Sequence, residues 1–229
     1  MRNLFIFSLL VLIKLLSRLF YRFEFRWVGE VPNDPWDGIR LAALINHTSL
    51  FEVIFFGVFP YRVLWQLASQ GVAPIADKTS SRPIAGRLFR TLAHRVVPIT
   101  RSRDHTWEQV LDEIGPRSMV LLAPEGRMMR KNGRDSDGKP MSIKGGIADV
   151  LETMPAGRFL IGYSGGLHHV QAPGEGLPRL FRKVTLQVEA LDIETYRAEH
   201  LRSPLGFRAA IVQDLETRKA RYCPPPPAG

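Results

Sequence analysis

The feature that most limits the fold is a series of short apolar runs, bounded by turn residues and separated by helix-like segments. "IRLAALI" (39–45), "VVPIT" (96–100), "SMVLLAP" (118–124), "RFLIGYS" (158–164) and "KVTLQVEA" (183–190) read as strands that need cover. Between and after them, "DHTWEQVLDEIG" (104–115) reads as a helix with Asp104 as its cap and Gly115 as its stop. "IKGGIADVLETM" (143–154) and "LGFRAAIVQDLETRKARY" (205–222) also read as helices. Strands alternating with helices predict an α/β domain, a mixed sheet covered by helices. "FEFRWVG" (23–29) and "RVLWQLAS" (62–69) read as further strands, and "RPIAGRLFRTLAHR" (82–95) as a helix with Pro83 in its first turn. The Gly- and charge-rich "EGRMMRKNGRDSDGKPMS" (125–142) is expected to be a long loop.

The N-terminus adds a second constraint. "MRNLFIFSLLVLIKLLSRLFYRF" is apolar from Leu4 to Ile13 and is then interrupted by Lys14 and Arg18. The uninterrupted run is shorter than the ~20 residues a bilayer span needs. No small-residue cleavage site follows it, so a retained helix is expected rather than a removed leader. Lys14, Ser17, Arg18 and Tyr21 or Arg22 share one stripe. That stripe predicts a helix lying in the membrane interface, its cations in the headgroup layer. Residues 1–22 are therefore read as a membrane-associating amphipathic helix, 23–221 as one folded domain, and 222–229, ending "CPPPPAG", as a disordered Pro-rich tail.

The charge balance, 31 Lys and Arg against 22 Asp and Glu, gives +9 and favours anionic partners. Nucleic acid is excluded as the expected partner, because no recognition motif accompanies the charge and the apolar N-terminus fits lipid better. One cysteine, Cys223, leaves no internal disulfide and no thiolate cluster for a metal.

Within "LINHTSLFEVIFF" (44–56) an apolar run stops at Asn46-His47-Thr48-Ser49, and Glu52 is the one carboxylate in the segment that follows. Residues five apart on one helix sit ~140° apart and do not meet. If His47 lies in the turn and Glu52 one turn into a helix capped by Ser49 and running to about Phe59, the side chains converge. The carboxylate then fixes the imidazole tautomer and raises its basicity, leaving the second nitrogen to accept a proton. "LLAPEGRMMR" (121–130) sets Pro124-Glu125-Gly126 after a strand, with Arg127 and Arg130 beyond it, and "VVPITR" ends a strand at Arg101. Strand-end loops are where such sheets gather their sites, and arginines there suit phosphate. His168 and His169 read as loop residues, and His94, His105 and His200 as residues of surface helices.

These blocks, in this order, resemble the glycerolipid acyltransferases of the lysophosphatidic acid type. "NHTSLFE" is similar to N-H-x-S-x-x-D, "RVVPITR" to G-x-I-P-V-D-R and "APEGR" to F-P-E-G-T-R. "SIKGGIADV" is similar to the family's next helix start, and "RFLIGYS" stands where the fourth block belongs. Glu52 replaces the usual aspartate, Arg95 a glycine, Thr100 an aspartate, and Arg127-Met128 the usual Thr-Arg. The resemblance implies a membrane-associated O-acyltransferase with no metal or cofactor, acting from the cytoplasmic face of the cell membrane as a peripheral or monotopic protein. Acyl-CoA or acyl carrier protein would be co-substrate, a lysophospholipid such as 1-acylglycerol-3-phosphate the acceptor, and anionic membrane lipid the surface. His47 would be the general base and Glu52 its partner, with Arg101, Glu125, Gly126, Arg127, Arg130 and Lys144 at the acceptor's phosphate. The other reading is a member of the same fold that binds lipid or an acidic partner without catalysis.

Overall fold

The computed structural model describes residues 1–81, 85–100 and 102–226. Helix α1 (Arg2–Phe20) leads into β1 (Arg22–Trp27) and β2 (Ile39–Ile45). A 3₁₀ helix (Leu50–Gly57), α2 (Tyr61–Gln70), β3 (Gly71–Ala76), α3 (Asp77–Ser80) and α4 (Ala85–Phe89) follow. Then come β4 (Arg95–Ile99), α5 (His105–Asp112), β5 (Met119–Leu122), α6 (Gly146–Thr153) and β6 (Arg158–Ser164). Strand β7 (Lys183–Asp192), α7 (Ile193–Leu201) and α8 (Phe207–Tyr222) complete the chain.

The seven strands form one mixed sheet in the order β1-β7-β6-β2-β5-β3-β4. Strands β2 to β6 are parallel, β7 is antiparallel to β6, and β1 pairs parallel with β7. Apolar side chains on successive strand positions face opposite ways, so the sheet needs cover on both sides. Ala42, Leu160 and Leu186 face a core shared with Ile6 and Leu10 of α1, Ile54 of the 3₁₀ helix and Leu64 of α2. Leu41, Ala43, Phe159 and Ile161 face the other core, with Trp107, Ile147, Tyr196 and Ile211 of α5 to α8. Because β2, β5 and β6 run parallel, Ile45, Leu122 and Ser164 end along one sheet edge.

Several expectations change. "RVLWQLAS" is the body of α2, not a strand: Val63, Leu64, Leu67 and Ala68 are the buried positions, which is the spacing of a helix face. Gly71–Ala76, which carries Pro74, supplies the strand instead. The helix expected over 82–95 is described only as α4; His94 lies in a turn, and Pro83 lies outside the described residues. Tyr222, assigned to the tail, is the last residue of α8, its ring 5.4 Å from Tyr163.

The stripe expected along α1 divides: Arg18 and Arg22 stay exposed, while its other members turn inward. Lys14, Ser17 and Tyr21 are buried against the domain, not turned to headgroups. The Lys14 ammonium donates to the carbonyls of Gly57 and Phe59 at 3.0 and 2.7 Å, meeting acceptors that the end of the 3₁₀ helix leaves without partners. Leu4, Phe5, Leu12, Leu15, Leu16 and Leu19 point outward instead. By length and composition the 19-residue helix is apolar enough to cross a membrane.

Candidate active site

The turn after β2 is built by Asn46, which takes φ 67°, a left-handed conformation that asparagine tolerates better than most residues. Its side-chain amide donates to the Ser164 carbonyl at 2.8 Å, tying the turn to the end of β6. The buried Thr48 hydroxyl accepts from Leu167 N–H at 2.7 Å. Ser49 then caps the 3₁₀ helix: its hydroxyl accepts from Phe51 N–H at 3.0 Å, while the Glu52 carboxylate accepts from Ser49 N–H at 3.3 Å. This is a capping box, and it draws Glu52 back over the turn.

One Glu52 oxygen also accepts from Thr48 N–H at 2.6 Å, and the other meets His47 Nδ1. Glu52 is buried, so the pair is little screened by water. With Nδ1–H donating to the carboxylate, the lone pair belongs to Nε2. The arrangement can take up a proton at Nε2 and stabilise the resulting imidazolium.

Glu125, 2% exposed, holds the turn from its other side. One carboxylate oxygen accepts from His47 N–H at 2.7 Å, and the other pairs with the Lys219 ammonium from α8. Met129 N–H donates to the His47 carbonyl at 2.7 Å, so main-chain contacts reach His47 from two directions. Gly126 has φ 69° with open space where a Cβ would stand, so its glycine is needed for the turn and not for clearance.

An apolar cavity of ≈ 270 Å³ opens beside this turn. His47, Glu52, Gly126 and Arg127 line it at one part, and Phe55, Phe59, Phe89, Leu92 and Leu186 at others. The cavity lies between the sheet and the 3₁₀ helix, the direction in which the apolar half of "LFEVIFF" points.

The cationic residues are spread. Arg127 pairs with Asp135 at 3.0 Å and with Asp137, and its hydrogen bond to Asp137 raises its pKa further. Arg130 reaches the Pro173 carbonyl at 3.5 Å. Lys144 donates to the Ser142 hydroxyl at 2.7 Å, and its backbone N–H to the Pro124 carbonyl at 2.8 Å, next to Glu125. Arg101 lies outside the described residues. The structure thus brings His47, Glu52, Glu125, Gly126 and Arg127 to one edge, while Arg130 turns toward the loop around Pro173. Lys219 was missed by the sequence reading, since nothing in "ETRKARY" marks one cation as the partner of a carboxylate 94 residues away. His168, read as a loop residue, contacts the Met129 carbonyl through Nε2 at 2.7 Å.

No family model matches the chain, and no curated protein sequence matches it. Among solved structures it is similar to the 1-acyl-sn-glycerophosphate (LPA) acyltransferase PlsC from Thermotoga maritima, at 16% identity and a TM-score of 0.51. The match covers 93% of this chain and 79% of that one. With its seven-stranded sheet, flanking helices and apolar N-terminal helix, this chain has a PlsC-like fold.

Proposed function

We propose that the chain is an O-acyltransferase that works at a membrane surface. The observation that carries this reading is the pair of half-buried His47 and buried Glu52 at an apolar cavity, in a fold shared with a solved acyltransferase. His47 Nε2 takes the proton from an acceptor hydroxyl as its oxygen attacks the carbonyl carbon of a thioester. The carbon–sulfur bond then breaks, and the imidazolium returns the proton to the departing thiolate of CoA or acyl carrier protein. Glu52 stabilises the imidazolium and is not itself protonated. The acyl chain lies in the cavity. The acceptor is a lysophospholipid, with 1-acylglycerol-3-phosphate first among those to test, and Arg101, Arg127, Arg130 and Lys144 are the cations for its phosphate. Glu125 and Gly126 shape the turn that presents them. The outer face of α1 lies in the cytoplasmic leaflet.

A second reading, a lipid-binding chain without catalysis, draws on Arg127, whose guanidinium is already engaged by two aspartates. Purified protein incubated with acyl-CoA or acyl carrier protein donors and mixed lysophospholipids separates the two. Acyl transfer predicts diacyl products in the mass spectrum together with free thiol. Lipid retained by the protein with no thiol released would leave only the binding reading. Under the first reading, Arg127→Gln raises the acceptor KM by ~10–100-fold, the worth of a charge-assisted contact, and leaves the donor KM nearly unchanged. Equal changes in both constants would assign Arg127 to the loop and not to the acceptor.

A further inference from the structure

The segment after β6 runs from the catalytic turn to the far end of α1. Leu167 N–H bonds to Thr48, and the Ser49 hydroxyl donates to the Gln171 side-chain oxygen at 3.2 Å. The Gln171 amide in turn donates to the carbonyls of Glu175 and Gly176 at 3.2 and 3.1 Å. Beyond these fixed points the chain presents Leu177, Leu180 and Phe181 to solvent, Leu177 at 87% exposure. Three large apolar side chains in five residues are an unusual surface load for a loop that could have been polar.

Their placement is held, not loose. Phe181 adopts φ 58°, rare for an aromatic residue, and its N–H donates to the Phe20 carbonyl at 2.7 Å. The Phe181 and Phe20 rings meet edge to face at 5.8 Å. Phe20 is the last residue of α1, so the loop extends the helix's outward apolar face beyond its C-terminal end. Around this junction Arg18, Arg22, Arg179, Arg182 and Lys183 are all exposed. Glu175 and Glu24 neutralise part of that charge, through Arg179 and Lys183 respectively. An apolar projection rimmed by cations fits a membrane bearing anionic headgroups, where apolar side chains enter the acyl boundary and cations stay with phosphate.

We infer that the 176–182 loop is a second membrane-inserting element, which with α1 sets the orientation of the catalytic turn on an anionic lipid surface. This rests on the proposal that α1 docks on membrane. Two contacts of different chain origin, joined at Phe20–Phe181, fix rotation about the helix axis, which a single helix leaves free. The Gln171–Ser49 contact then places the turn at a set height above the lipid.

The test uses the full chain and vesicles of phosphatidylcholine with phosphatidylglycerol. A single fluorophore sensitive to polarity is placed at Leu177→Cys in a Cys223→Ser background, and at Leu205→Cys, exposed on α8's side of the sheet, as control. Vesicles should shift the Leu177 probe to the blue and leave the Leu205 probe unmoved. In a second arm, Leu177→Ser/Leu180→Ser/Phe181→Asn, with asparagine chosen to tolerate the left-handed backbone, should lower vesicle partitioning by roughly tenfold or more, as expected for withdrawing three large apolar side chains from lipid. A water-exposed Leu177 probe on chains that do sediment with vesicles would overturn the loop's role while leaving α1 docking intact. A full chain that does not sediment at all would remove the membrane reading itself. A blue shift that grows with protein concentration in the absence of vesicles would give the face to a second copy of the chain and overturn the proposal.

Discussion

Glu52 has two carboxylate oxygens, and the local structure uses both: one receives the amides of the turn, the other meets His47. That economy explains why an H-x4-E spacing, unpromising on a continuous helix, converges here. The pair was legible in the sequence because all its determinants lie within one short stretch, Asn46 to Glu52. Lys219 was not legible, since its partner Glu125 is brought to it only by the packing of α8 against the sheet. Its removal has a definite expected cost. Lys219→Met leaves the buried Glu125 charge without its cation and should destabilise the fold by about 3–5 kcal/mol, read by urea unfolding. An unchanged midpoint would mean that the His47 amide suffices for Glu125. Cys223 gives a chemical readout nearby. Burial, and then the charge of Glu125, push its thiol up to about 12. Thiol reagents at pH 8 should therefore label the native chain roughly a thousandfold more slowly than the unfolded one, because only thiolate reacts. Equal rates would contradict a thiol held half-buried at the end of α8.

At the scale of elements, the capping box decides where the 3₁₀ helix begins. Ser49→Ala removes the acceptor for Phe51 N–H and should cost about 1 kcal/mol, with a larger fractional loss of any transferase rate, since the same box positions Glu52. A stability loss without a rate loss would separate the cap from the pair. Helix α1 was legible as a helix, and its stripe was misread at Lys14, Ser17 and Tyr21, which face the domain. Composition marks Lys14 and Ser17 as one stripe but cannot say that the carbonyls of Gly57 and Phe59 await that stripe. Lys14→Met leaves both carbonyls without that donor and should cost roughly 1–3 kcal/mol in urea unfolding. No change would show that the lysine is incidental to packing. Segment 62–69 was misread for a related reason: a short apolar run fits both periods, and only its burial on one face settles it as α2.

For the whole molecule, the alternation of apolar runs and helices was enough to reach a mixed sheet with helical cover. The strand order was not, because β7 joins the sheet antiparallel to β6 and then takes β1 as a parallel edge strand, which no local pattern announces. The parallel arrangement of β2, β5 and β6 is what turns three separate strand ends into one site. The inward burial of Ile6 and Leu10 makes α1 part of the core, so surface changes probe its outward apolar face better than truncation does. The most direct test of the central claim is the rate of thiol release from an acyl thioester with a lysophospholipid acceptor. It is measured for folded wild type, Glu52→Asp, Glu52→Gln and His47→Ala. The His47–Glu52 account predicts rates falling in that order, with His47→Ala lower than wild type by ~10²–10⁴-fold. A folded His47→Ala protein that releases thiol and forms diacyl lipid as fast as wild type would contradict it.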